Sequence, residues 1–196
     1  ETDMHYGMSV YYGYGLNGDG VQILNTGNEV RIVGTVQYYE AGGTWQVSGL
    51  SYRSMKPDDP NNIQKLSEGH EPAYVLTDPE RFANGTVDVV VDETVTTLPY
   101  AKLALSTSLR MENLVVKDVY TTDNEDSSSN GAMTLTCEVG GITISVRTVV
   151  LFDGNGNLVT ADAYLGKTID VRGILDYFDG TYQIKVFSVN DITIHN

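Results

Sequence analysis

Gly27-Asn28-Glu29-Val30-Arg31-Ile32-Val33-Gly34-Thr35-Val36-Gln37-Tyr38-Tyr39-Glu40 returns late in the chain as Gly166-Lys167-Thr168-Ile169-Asp170-Val171-Arg172-Gly173-Ile174-Leu175-Asp176-Tyr177-Phe178-Asp179. After turns that differ by two residues, Gly43-Thr44-Trp45-Gln46-Val47-Ser48 is matched by Gly180-Thr181-Tyr182-Gln183-Ile184-Lys185. The spacing is that of a domain, so the repeat predicts two related domains and no solenoid. Within each copy apolar residues alternate, as a half-buried strand requires. Asp179-Gly180 is a two-residue turn whose positions favour positive φ, so each copy reads as a hairpin. Gly34 and Gly173 interrupt the first strand of each hairpin at the same place, where a small barrel needs a bend or bulge.

Outward from the second copy, Leu109–Tyr120, Ala132–Val139 and Ile142–Leu151 read as three more strands, the last two joined at Gly140-Gly141. Thr121–Asn130 is a polar loop, and Thr160–Leu165 is expected to be a short helix ahead of the final hairpin. Five strands with a connecting segment between the third and fourth is the strand order of an OB-fold barrel. Leu109-Arg110-Met111-Glu112-Asn113-Leu114-Val115-Val116, with Gly166–Gly173 and Tyr182-Gln183-Ile184, resembles the OB-fold accessory modules of bacterial secreted and cell-surface proteins. The resemblance spans about half of the chain well and residues 8–53 in part. It implies an all-β protein with two OB-fold-like five-stranded Greek-key barrels. The first is expected to be incomplete at its start: nothing ahead of Met8 supplies a first strand and the start of a second. The segment after residue 56, or sequence outside this chain, is left to complete it.

All five prolines fall between Lys56 and Ser108, outside both repeats. There Thr77-Asp78-Pro79-Glu80-Arg81-Phe82-Ala83 predicts a capped short helix with proline in its first turn. Asn84-Gly85 then turns into a strand over Thr86–Val95. The expected organisation is a partial first barrel over 1–55, a structured connector over 56–108 and a second barrel over 109–196.

The chain carries 26 acidic against 12 basic residues, a formal charge of −14. A surface of that sign repels phosphate, so nucleic acid is an unlikely partner. No apolar run approaches the roughly 20 residues of a membrane-spanning helix. Cys137, the single cysteine, is in register with Met133, Leu135 and Val139 and is expected in the core. The opening Glu1-Thr2-Asp3 has no methionine, as in a processed or trimmed product, and the Lys-poor, Tyr-, Asn-, Thr- and Gly-rich composition suits an extracytoplasmic, secreted or cell-surface protein.

Candidate sites are few. Gly13-Tyr14-Gly15-Leu16-Asn17-Gly18 matches a dinucleotide-binding pattern but is followed by another loop, Asn25-Thr26-Gly27, where the motif needs a βαβ unit. Asp153, Asn155 and Asn157 alternate like calcium ligands, yet Leu158 stands where an EF-hand needs Gly, and a Gly/Asn turn is the better reading. Glu68-Gly69-His70-Glu71 reads as a solvated loop. No nucleophile motif or cofactor motif with its required context is present, so no enzyme and no cofactor are expected. Aromatic residues are the stronger clue: Tyr38, Tyr39 and Trp45 around the first hairpin, Tyr177 and Tyr182 around the second. Arg147 and Arg172 are the cations placed to join them on a barrel face. The expected function is a non-catalytic binding or accessory module for a glycan or a protein. The alternatives are a structural spacer and a nucleic-acid-binding accessory of an extracellular nuclease. Grouped, exposed Tyr and Trp side chains would mark the binding module; a spacer would not have them.

Overall fold

The described part of residues 8–73 forms five brief strands and a single helical turn. The computed structural model describes residues 7–11, 19–40 and 43–195, and the chain divides into a unit over 8–73 and a larger one over 74–195 that takes in Gly7. The smaller unit contains β1 (Ser9–Val10), α1 (Asp19–Gln22), β2 (Glu29–Arg31), β3 (Thr35–Tyr39), β4 (Thr44–Ser48) and β5 (Gln64–Ser67). β3 and β4 form the expected hairpin, with Val36 opposite Val47 and Tyr38 opposite Trp45. β1 runs parallel to β4, Val10 beside Val47, and β2 pairs antiparallel with β5. Leu50 and Ile63 are buried at its centre, with Val10, Ile23, Ile32, Val47 and Tyr52 packed around them. Asn62 is buried too, and it accepts from the Arg53 N–H and donates to the Arg53 and Lys56 carbonyls, which fixes the loop between them.

The larger unit begins with β6 (Val75–Leu76), α2 (Pro79–Asn84), β7 (Thr86–Val91), β8 (Thr94–Pro99) and α3 (Tyr100–Leu103). The Asp78 carboxylate caps α2 by accepting from the Arg81 N–H, with Pro79 in the first turn, as the sequence predicts. The strand expected over Thr86–Val95 is instead a hairpin. It reverses at Asp92 (φ 46°) and Glu93 (φ 65°), two positive-φ positions that hold neither glycine nor asparagine. Then come β9 (Ser108–Thr121), β10 (Met133–Val139), β11 (Ile142–Thr148), β12 (Thr168–Phe178), β13 (Thr181–Val186) and β14 (Ile192–His195). The helix expected over Thr160–Leu165 is a shorter 3-10 turn, Ala161–Ala163.

β9, β10 and β11 form an antiparallel meander. β13 runs parallel to β11, β12 pairs antiparallel with β13, and β12 returns antiparallel to β9. That circuit closes a five-stranded barrel with OB-fold connectivity. Leu109, Met111, Leu114, Val116, Met133, Leu135, Ile144, Val146, Ile169, Val171, Leu175 and Ile184 point inward and are fully or almost fully buried. A bulge bends β9: Glu112 and Asn113 both face Asp170, because Met111 pairs with Val171 and Leu114 with Ile169. Asn113 sits at φ 60° and its N–H donates to the Asp170 carboxylate.

Only one of the two expected barrels closes. The strands described in the smaller unit pair as their counterparts in the barrel do. β1, β3 and β4 correspond to β11, the second half of β12 and β13, with the parallel pair in the same register: Ser9 beside Gln46 as Ser145 is beside Gln183. β2 and β5 reproduce the pairing of β12 with β14. The segment after residue 56 thus supplies an outer strand and leaves the barrel open. Among the described residues nothing in this unit occupies the places of β9 and β10. The residues expected as one connector are also shared out, 56–73 with the smaller unit and 74–108 with the barrel.

Candidate functional site

The hairpin of β3 and β4 presents its aromatic side chains to solvent. Tyr38 and Trp45, directly opposed across the strands, have ring centroids 5.3 Å apart and planes inclined at 57°. In the barrel, Tyr177 and Tyr182 hold the same cross-strand position at 5.0 Å and 54°. Burial separates the two pairs. Val36, Tyr38 and Trp45 are 58%, 51% and 58% exposed, while their barrel counterpart of Val36, Leu175, is 1% exposed. Tyr177 and Tyr182 are half-buried, and Tyr182 packs against the barrel core. Tyr39 is exposed with Trp45 but lies opposite Thr44, on the other side of the hairpin. The sequence-predicted aromatics therefore divide: Tyr38 and Trp45 form an accessible patch, while Tyr177 and Tyr182 are half-buried, Tyr182 against the barrel core.

Arg147 and Arg172 do not come together. Arg147 lies on β11 with its guanidinium donating to the hydroxyls of Thr122 and Thr134. Strand pairing puts Tyr120, Thr134, Arg147 and Lys185 in one row across the outside of the barrel. The sequence reading did not place Tyr120 and Lys185 at this site; Lys185 joins the row only through the parallel pairing of β11 with β13. The adjoining row carries Asp118 and Asp176, the latter accepting from the Gln183 amide. Arg172 faces Arg110 across β9 and is engaged elsewhere: its Nε donates to Asp191 at 2.7 Å, and its guanidinium lies 5.3 Å from the Tyr74 ring centre.

Asp153, Asn155 and Asn157 form a self-capped turn. The Asp153 carboxylate accepts from the backbone N–H groups of Asn155 and Asn157 and from the Asn157 side chain. The Asn157 side-chain bond is the largest of the effects that hold this carboxyl below the usual aspartate range. Its oxygens already have partners within the loop. Among the described residues there is no group of three or more His, Cys, Asp and Glu side chains with metal-site geometry.

One contact that the sequence reading missed joins Ser67 to His70 Nε2 at 2.7 Å and to Glu29 Oε2 at 2.6 Å. These residues come from β2, β5 and the loop after β5, so the cluster exists only through the pairing of β2 with β5. In a hydrolytic triad the carboxylate orients the far nitrogen of the imidazole. Here it accepts the serine hydrogen bond directly, so the hydroxyl donates to Glu29 and the order of the triad is not reproduced. A groove of about 640 Å³ opens nearby between Ile23, Asn28, Tyr52, Asp58, Gln64 and Lys65.

Cys137 is fully buried and its thiol is pushed up to about 12 by burial. The Gly13–Gly18 pattern lies outside the described residues, as do Tyr6, Tyr12 and Tyr14. No helix among the described residues is long and apolar enough to cross a membrane.

No family model matches this chain, and no curated protein matches it. Among solved structures it is similar to a chain of a replication protein A heterotrimer bound to ssDNA. The identity is 16%, the match covers 54% of this chain and 70% of that one, and the TM-score is 0.32. The assignment of an OB-like barrel rests on the strand pairing itself.

Proposed function

We propose that this protein is a non-catalytic, extracytoplasmic binding module whose ligand is a polypeptide held at the Tyr38–Trp45 face. The observation that supports this reading is the exposure of Val36, Tyr38 and Trp45, whose barrel counterparts Leu175, Tyr177 and Tyr182 are buried or half-buried. Large aromatic side chains left on one exposed face are what a partner-binding surface offers, and Trp and Tyr contribute heavily to such contacts. A saccharide ring stacks on a flat platform; two rings inclined at 57° present no common plane, so a glycan is the poorer fit. A spacer has no use for the patch.

Trp45 is the only tryptophan, so its emission reports this face alone. Titration with extended apolar peptides should shift the emission to the blue and saturate, while cellohexaose, chitohexaose and soluble pectins leave it unchanged. A shift with saccharides alone, or with neither, refutes the assignment. Tyr38→Ala should weaken peptide binding by about 1–2 kcal/mol, the usual cost of losing one aromatic anchor.

A further inference from the structure

The smaller unit is a barrel wall without its other side, and the closed barrel in the same chain shows what such a wall takes. Residues 168–174 of β12 use one edge to pair with β14 and β13 and the opposite edge to pair with β9. The pairing extends one step further, since the Leu175 N–H donates to the Thr107 carbonyl and the Ser106 N–H to the Leu175 carbonyl. The equivalent stretch of the smaller unit is Glu29–Val36. Its first edge is used in the same way, by β5 and β4. Among the described residues no strand pairs with its second edge.

The side chains tell the same story. Val30, Ile32 and Val47 are half-buried and Val36 is exposed, whereas their counterparts Ile169, Val171, Ile184 and Leu175 are all shut away from solvent. In the barrel that difference is made by Leu109, Met111, Leu114 and Val116 of β9, whose alternate side chains cover β12. An open edge beside an uncovered apolar face is the arrangement used for strand addition, in which backbone hydrogen bonds hold the incoming segment and alternate side chains fill the face.

We infer that residues 29–36 accept an extended polypeptide strand that pairs antiparallel to them, with alternate apolar side chains of the β9 type directed onto Val30, Ile32 and Val36. This deepens the proposed function and rests on it: it states how the polypeptide is held. Gly34 is suited to the close approach of strands. A β-carbon there would meet the Ser48 carbonyl oxygen at 2.5 Å and Val47 Cγ1 at 2.6 Å, as one at Gly173 would meet the Lys185 carbonyl oxygen at 2.4 Å and Ile184 Cγ2 at 3.0 Å. At this glycine the hairpin beneath the open edge is packed as closely as the one inside the closed barrel.

The test uses the full chain and a synthetic peptide of residues 106–121, the natural occupant of the equivalent edge. Hydrogen exchange should show the amides of residues 29–36 slowed at least tenfold by saturating peptide, with Trp45 emission moving to the blue. Val36→Lys, at an exposed position that the fold tolerates, should weaken binding at least tenfold. Lys185→Gln, on the barrel's outer face, should leave it unchanged. No protection with peptide overturns the inference, as does equal binding by Val36→Lys. Protection that grows with protein concentration in the absence of peptide also overturns it, assigning the edge to a second copy of the chain. If the apolar peptides of the preceding test shift Trp45 emission while residues 29–36 stay unprotected, strand addition fails and the polypeptide-binding reading stands; if none shifts Trp45, that reading fails first.

Discussion

Replacing Gly173 by alanine tests the central claim about the barrel, that β12 lies against β13 too closely for a side chain. The added carbon would stand 2.4 Å from the Lys185 carbonyl oxygen and 3.0 Å from Ile184 Cγ2. Non-bonded atoms of this kind settle near 3.5 Å, so the strands must part by on the order of 1 Å beside the Ile174–Lys185 pair. The nearest contact is backbone, which has no rotamer with which to escape. Overpacking of this type costs about 1–3 kcal/mol, and a stretched, buried ladder bond adds about 0.5–1.5 kcal/mol. Stiffening of the unfolded chain returns about 0.4–1 kcal/mol. The net loss comes to about 2–3 kcal/mol, a fall in Tm of about 6–15 °C for a unit of this size. Calorimetry or far-UV circular dichroism should be used, because Trp45 belongs to the other unit and its fluorescence is blind to the barrel. Gly154→Ala is the control, since a carbon there meets nothing within 4 Å. If Gly173→Ala falls within about 0.5 kcal/mol of that control, the surface-substitution range, the close-approach argument is wrong.

Three further outcomes follow from the same geometry. Cys137, with its thiol pushed up to about 12 by burial, should resist iodoacetamide at pH 8 in the native chain and react freely in urea; native reactivity near that of a free thiol would contradict its place in the core. At Asp170 partial burial raises the carboxyl, but the Asn113 N–H, His195 and Arg110 together outweigh it and hold it below the ordinary value of 3.8. Its contribution is therefore present above that value and disappears as pH falls through the lowered folded-state value; the gap in urea midpoint between wild type and Asp170→Asn should be full above about pH 5 and shrink in acid, and a gap that widens in acid refutes the sign. Labelled single-stranded DNA should bind more weakly than about 100 µM at physiological salt, because the row holding Arg147 and Lys185 adjoins Asp118 and Asp176; low-micromolar affinity in fluorescence anisotropy that collapses with added salt would overturn this.

The second barrel was legible because its signals are local. Asp179 and Gly180 adopt positive φ, as do Gly140 and Gly141, and each turn falls where its residues require it. Strand β9 and the capped α2 announce themselves in the same way. What escaped the sequence was set by pairing between distant segments or by residues acting against type. Asp92 and Glu93 make a tight turn without glycine or asparagine, so two strands read as one. The row of Tyr120, Arg147 and Lys185 depends on a parallel register no local pattern encodes. The aromatic pair was found from the repeat, but its exposure was not. Tyr38 and Tyr177 sit in nearly the same local sequence, and only the strands across from them decide which one meets water.

The order in which the chain is made now matters. β2 and β3 leave the ribosome long before β12, and on the proposed strand addition residues 29–36 offer β9 the same kind of edge. Once Thr121 is synthesised, β9 has a ready counterfeit of its partner, and the true one is complete only at Val186. At ~5–20 residues per second that interval lasts on the order of 3–13 s, ample for strands that associate in microseconds to milliseconds. If residues 29–36 accept a strand as proposed, that edge is a built-in kinetic trap for β9. A peptide of residues 106–121 present during cell-free synthesis should then raise the yield of native chain, by filling that edge before β9 emerges.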